Sequence, residues 1–228
     1  MSAGKNFVRY ALKIGALELI PEGRKLKSGR ISPYFFDSGL FNTGKKLIEL
    51  VEPIVATVIT LPYTEYTDVI FGPTYKGIPL ACEVSTTMWR KYKMNLGFAF
   101  NRKEAKDHAE GGIIVGHSLA GKSVCIVDDV MTTGTSSGEA VDIIRAKGGT
   151  PLFCVIAFDR QERISAMRKV SAVQEFEHNY KIPVHSVATL ADLITVLEKD
   201  AESNSPTIPN SKEFLRKILA YQNEYGIK

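Results

Sequence analysis

The stretch that decides the fold is VCIVDDVMTTGTSS, residues 124 to 137: an apolar run, two adjacent carboxylates at Asp128 and Asp129, and a burst of threonine, serine and glycine. An apolar run without polar alternation is the pattern of a strand covered on both faces, as strands of parallel sheets are. The residues that follow, SSGEAVDIIRAKGG, read as a helix ending near Gly148 and Gly149. LFCVIAF, Leu152 to Phe158, then reads as the next strand. The acid-to-hydroxyl segment is therefore expected at the carboxyl end of a parallel strand and just before a helix, where open α/β sheets hold their ligands.

The side chains of that segment suggest what it holds. Hydroxyls from Thr132 to Ser137, the permissive backbone of Gly134 and the positive end of the next helix together suit a phosphate. The two acids would repel a phosphate they touched, so they are better placed against neutral hydroxyls or a metal-bearing part of the ligand. A sugar phosphate meets both demands, with its phosphate over the Thr/Ser loop and its diol toward the acids. The plainer reading is an acid pair that only caps the loop, but adjacent acids beside a dry strand usually need a partner. Neither a G-x-x-x-x-G-K-[ST] loop nor a G-x-G-x-x-G loop is present.

Working outward, Phe7, Tyr10, Ala11, Ile14 and Leu17 recur at helical spacing and predict an N-terminal helix of about four turns. Pro21 and Gly23 interrupt it, and LKSGRISPYFFDSG, 26 to 39, reads as short strands joined by turns outside the main sheet. From Thr43, the residues Leu47, Leu50, Val51, Ile54, Val55 and Val58 mark a second helix. DVIFG, 68 to 72, is a strand, followed by a turn and a helix to about Arg90. LGFAF, 96 to 100, is another strand. NRKEAKDHAEGG, 101 to 112, has no apolar period and is bounded by IIVG, which predicts an exposed hairpin or a long loop. VHSVATLADLITVLEKD adds an edge strand and a helix. SNSPTIPN, 203 to 210, is a linker, with Asn210 and Glu213 as a capping box for a last helix.

The repeated strand, helix, strand order predicts an α/β fold with a central, mostly parallel sheet flanked by helices. Tyr75, Asp128 and Asp159 fall at strand ends. The chain of 228 residues, 44% hydrophobic, is large enough for one domain with a sizeable core. Its 29 basic and 25 acidic residues give a formal charge of +4, too mild to indicate nucleic acid. Cys82, Cys125 and Cys154 lack metal or disulfide spacing and read as core thiols of a reducing compartment. No signal-like segment or apolar run of about 20 residues is seen, so no membrane partner is expected and the cytoplasm is the default location. His117, His178 and His185 read as structural or surface residues.

VCIVDDVMTTGTSS resembles the phosphoribosyl-diphosphate-binding motif of type I phosphoribosyltransferases. With LKSGRISPYFFDSG, GPTYKGIP, FNRKEAKDHAEGG and FDRQER, the chain from the first helix to about Leu197 resembles the orotate phosphoribosyltransferases, in a fungal-type version. The resemblance implies the type I fold over 1–228, with 1–40 forming a small hood and 203–228 a peripheral C-terminal helix. It implies that Asp128 and Asp129 bind the ribose hydroxyls, that Thr132, Thr133, Gly134, Thr135 and Ser136 grip the 5′-phosphate, and that Val130 and Met131 also belong to the phosphoribosyl-diphosphate site. Lys27 would lie near base and diphosphate, and Tyr75 and Lys76 would meet the diphosphate. Phe35 and Phe36 would line the pyrimidine site, with Thr132 and Arg160 on the base, Arg160 taking the orotate carboxylate.

The same resemblance makes Arg102, Lys103, Lys106 and His108 a catalytic basic loop that closes over ligand and, in a homodimer, reaches the partner's site, with Lys106 foremost. Mg²⁺ is implied, held mainly through substrate oxygens with no direct protein ligand. Two alternatives stay open: a phosphoribosyltransferase for a purine base, which would leave Arg160 without an anionic target, and a non-enzymatic sensor of phosphoribosyl diphosphate.

Overall fold

A computed structural model describes residues 2–26, 28–106, 112–132, 134–165 and 167–227, with backbone alone at 105 and 106. Helix α1 (Ala3–Lys13) leads into a hairpin of β1 (Leu17–Lys25) and β2 (Ile31–Phe36), and α2 (Gly44–Ile59) follows. The chain then runs through β3 (Val69–Gly72), α3 (Gly77–Tyr92), β4 (Gly97–Lys106), β5 (Gly112–Gly116), β6 (Ser123–Val130), α4 (Thr135–Ala146) and β7 (Thr150–Asp159). It ends with α5 (Ala172–Tyr180), β8 (Val184–Thr189), α6 (Leu190–Ala201) and α7 (Ser211–Tyr225).

Six strands form the main sheet in the order β5-β4-β3-β6-β7-β8, all neighbours parallel except the β4/β5 pair. Successive residues of the central strands feed opposite cores, which is why the strands read as unbroken apolar runs. Ile70, Cys125, Val127, Val155 and Ala157 face one side, where α1, α2, α3, α6 and α7 pack. Phe71, Val124, Ile126, Cys154 and Ile156 face the other, against α4 and α5. The β1/β2 hairpin is a separate antiparallel sheet, with an irregular register between Leu19 and Arg24 where Pro21 and Gly23 lie.

Several local expectations need correction. Helix α1 stops a turn early because Gly15 takes a φ of 75°, and Leu17 belongs to β1, where it is buried. At residues 101–106 the hairpin alternative holds rather than the long loop: the polar residues continue β4 and pair antiparallel with β5, which supplies backbone bonds that apolar periodicity could not reveal. Asn210 sits at the start of α7 in a left-handed conformation with no side-chain cap. The capping boxes are instead Ser171 with Gln174 and Thr189 with Asp192, the first opening α5, which sequence reading missed. Helix α7 packs on α6 and β2 and sends Phe214, Ile218 and Tyr221 into the core. Among the described residues no helix is long and apolar enough to cross a membrane.

Candidate functional site

From β3 the sheet grows through β4 and β5 in one direction and through β6, β7 and β8 in the other. The β3/β6 boundary is therefore where strand order reverses, the position at which open α/β sheets hold ligands beyond the carboxyl ends of their strands. The residue before α3, Lys76, and the acids of β6 face each other across this boundary. Lys76 Nζ lies 3.3 Å from Asp129 Oδ2 and 2.9 Å from Asp37 Oδ1. Ser38 Oγ donates to Asp129 Oδ2 at 2.5 Å, so the turn after β2 closes on the acid pair.

Both acids are buried, at 7% and 6% exposure. Burial, followed by the neighbouring Asp129, raises the Asp128 carboxyl well above the usual carboxylate range; the Asp129 N–H and Lys76 act the other way. Asp37 is held below its ordinary value, chiefly by the Lys76 hydrogen bond.

The segment after β6 rises into α4 through Gly134, whose φ of 73° is left-handed. Thr132, Thr135 and Ser136 are exposed beside the first turn of α4, while Ser137 is buried. A helix start of this kind directs its leading N–H groups at whatever lies before it. Val130 is partly buried, and Met131 has its side chain in the core, so Met131 can offer a ligand only backbone. Thr133 and Lys27 lie outside the described residues.

On the β3 side, Tyr75 is 66% exposed and follows a cis peptide bond after Thr74. The Thr74 N–H donates to Asn101 Oδ1 at 3.1 Å, and Thr74 Oγ1 bonds the Asn101 carbonyl, which ties this loop to the base of the β4/β5 hairpin. Arg102 Nη1 donates to the Gly112 carbonyl at 3.3 Å, and Lys103 is exposed. The Lys106 side chain and His108 lie outside the described residues.

On the other side, β7 places Arg160 just past its end. Arg160 is 11% exposed, and its Nη2 donates to Glu162 Oε1 at 2.7 Å and to Ser32 Oγ at 3.0 Å. Its guanidinium lies over the Tyr34 ring, 4.4 Å from the centroid. Burial works against its charge, but Tyr34, Glu162 and Tyr221 outweigh burial and keep it cationic. Phe35 is partly buried under the Arg24 guanidinium, 3.9 Å from its ring centroid. Phe36 is 5% exposed, and its ring stacks on Phe158 at 5.5 Å.

Sequence reading missed Asp37, Ser38 and Glu162. The DSG turn was visible at 37–39, but nothing local pointed it at Asp129.

No group of three metal-ligating side chains occurs among the described residues. Asp129 already serves Lys76 and Ser38, so the donor set suits a divalent ion carried on ligand oxygens better than one caged by protein.

The model of the phosphoribosyl transferase domain matches residues 41–185. The orotate phosphoribosyltransferase of Bordetella bronchiseptica is 44% identical over 232 residues, covering 99% of this chain and 98% of the relative. That of Nitrosococcus oceani is 47% identical over 203 residues, 89% and 87% of the two chains. The crystal structure of orotate phosphoribosyltransferase from Francisella tularensis superposes with a TM-score of 0.79 at 33% identity, covering 97% of this chain and 99% of that one. All three are bacterial, and none supports the fungal-type resemblance.

Proposed function

Because the chain belongs to the phosphoribosyltransferase family and, within it, to the orotate phosphoribosyltransferases of pyrimidine biosynthesis, we propose that it joins N1 of orotate to C1 of 5-phosphoribosyl 1-diphosphate with inversion. The products are orotidine 5′-monophosphate and diphosphate. The observation that carries this reading is the strand order: β6 with its acids stands between β3, which leads to Tyr75 and Lys76, and β7, which leads to Arg160. A ribose over Asp128 and Asp129 would have its leaving group toward β3 and its base toward β7.

In this reading the 5′-phosphate rests on the turn from Thr132 to Ser136 at the start of α4. The acids hold the ribose hydroxyls. Arg160 meets the orotate carboxylate with a two-pronged guanidinium, and Lys27, Thr132, Phe35 and Phe36 complete the base site. As the C1–oxygen bond breaks, positive charge develops on the ribose and negative charge on the diphosphate. Tyr75, Lys76, Arg102, Lys103, Lys106 and His108 are the groups that answer the negative charge, and Lys106 is the foremost of them. Mg²⁺, which would be carried in with the substrate rather than held by protein side chains, would supply further charge compensation beside these cationic residues. Closure of the basic hairpin from the partner subunit of a homodimer keeps water from the reactive carbon.

The reading takes 1–228 as one domain with 1–40 as its hood, working in the cytoplasm, where free thiols such as Cys82, Cys125 and Cys154 persist. The test follows orotate consumption with phosphoribosyl diphosphate and Mg²⁺. Lys106→Ala is expected to lower kcat by about 10²-fold or more with modest change in KM, as for loss of an electrostatic transition-state contact. Arg160→Ala is expected to abolish orotate use. Normal activity in both variants, or transfer to a purine by the natural chain, overturns the reading.

A further inference from the structure

The cluster behind Arg160 is larger than one arginine needs for burial. Glu162 Oε1 accepts from Arg160 Nη2 at 2.7 Å and from the Tyr34 hydroxyl at 2.7 Å. Its Oε2 accepts from the Tyr221 hydroxyl at 3.1 Å and lies 3.7 Å from Arg30 Nη1. Arg160 also donates to Ser32 Oγ, which in turn donates to the Tyr34 carbonyl at 2.7 Å. Glu162 is 10% exposed. One carboxylate thus gathers groups from the hood hairpin, the segment after β7 and α7.

The backbone repeats the arrangement. The Arg163 N–H donates to the Tyr225 carbonyl at 2.8 Å, and the Ile227 N–H donates to the Gln161 carbonyl at 3.0 Å. Glu162 and Gly226 form an antiparallel bridge. The end of the chain is stitched to the segment that carries Arg160.

Both protein bonds of Arg160 use Nη2. Among the described residues no further bond from Nη1 or Nε accompanies these, so N–H groups of the guanidinium remain to meet a carboxylate oxygen from outside. A guanidinium on a flexible stem recognises a carboxylate in two-pronged fashion only when its plane is set in advance. Glu162 grips one corner of the fork, and the Tyr34 ring lies beneath it.

We infer that Glu162 is a positioning residue for orotate: it fixes the plane of Arg160, and through Tyr221 it makes α7 part of the base site. This rests on the assignment of Arg160 to the orotate carboxylate. Glu162 touches no substrate in this scheme and acts through Arg160.

The test measures KM for each substrate and kcat separately in Glu162→Gln and Tyr221→Phe. Glu162→Gln is expected to raise KM for orotate about tenfold, the worth of one hydrogen bond to a charged group, and to leave KM for phosphoribosyl diphosphate unchanged. Tyr221→Phe is expected to shift orotate KM in the same direction by less, and it carries the test should Glu162→Gln fail to fold. Equal shifts in both KM values, or none in either, overturn the inference, because a cluster serving only to hold α7 does not discriminate between substrates. Arg160→Ala separates the two levels. Impaired orotate use in Arg160→Ala with normal KM values in Glu162→Gln defeats the positioning role alone, whereas an unaffected Arg160→Ala defeats the base-site assignment as well.

Discussion

Asp128 shows at one residue how a binding site opposes the stability of its own fold. It lies in β6 with its carboxyl out of water and beside Asp129, and both circumstances favour the protonated form. In the unfolded chain the same group ionises in the ordinary aspartate range. Between that range and its raised folded value the native state binds more protons than the unfolded one, so stability falls as pH rises through the window. Asp128→Asn removes the linkage. At pH 8 its Tm is expected to exceed that of the natural chain by about 3 °C or more, and the gap should close toward pH 4. Thermal unfolding across that pH range checks this, and parallel melting curves would refute it. The same substitution is expected to reduce turnover, because the amide puts a donor NH₂ where an oxygen could accept from a ribose hydroxyl.

At the level of elements, the turn from β3 into α3 shows how the sheet positions Lys76. A Cβ on Gly72 would sit 1.9 Å from the Gly77 carbonyl oxygen, a backbone atom in the first turn of α3. Glycine is needed there because strand and helix approach without room for a methyl group. Gly72→Ala must push the start of α3 away, with an overpacking cost of about 1–3 kcal/mol and a fall in Tm of roughly 3–10 °C. Lys76 precedes that turn, so KM for phosphoribosyl diphosphate is expected to rise while KM for orotate changes less. Calorimetry with two-substrate kinetics measures both, and an unchanged diphosphate KM would detach Lys76 from the leaving group. The β4/β5 hairpin teaches a different lesson. Its polar residues pair as Asn101 with Ile114 and Lys106 with Gly112, a geometry set by a partner strand and invisible to hydrophobic period.

For the whole molecule, the last helix joins the hood strand β2 to α6. Phe214, Ile218 and Tyr221 are each nearly or fully buried, and burial of such side chains contributes about 1.5–3 kcal/mol apiece. Their sum is comparable to the net stability of about 5–15 kcal/mol that a domain possesses. A chain ending after Pro209 is therefore expected to lose its cooperative melting transition or to melt far below the full chain. A truncated chain that melts normally would show α7 to be an appendage.

What the sequence by itself determined is the unit that repeats: apolar strand, turn, amphipathic helix, and at Val124 to Ser137 the acid pair followed by hydroxyls and glycine. Those features are local, because strand and helix periods and turn chemistry act over a few residues. Only the tertiary structure decided which strands became neighbours, and so which side chains met. Ser38 and Asp129 are 91 residues apart, Tyr34 and Glu162 are 128 apart, and each pair forms a single hydrogen bond. Arg160 was readable as a cation at a strand end, but its orientation was not, since Ser32 and Tyr34 reach it from β2 and its near neighbour Glu162 is itself fixed by Tyr221 of α7. A hydrogen bond acts over about 3 Å and leaves no periodic trace along the chain, so such pairs emerge only when the sheet order brings them into contact.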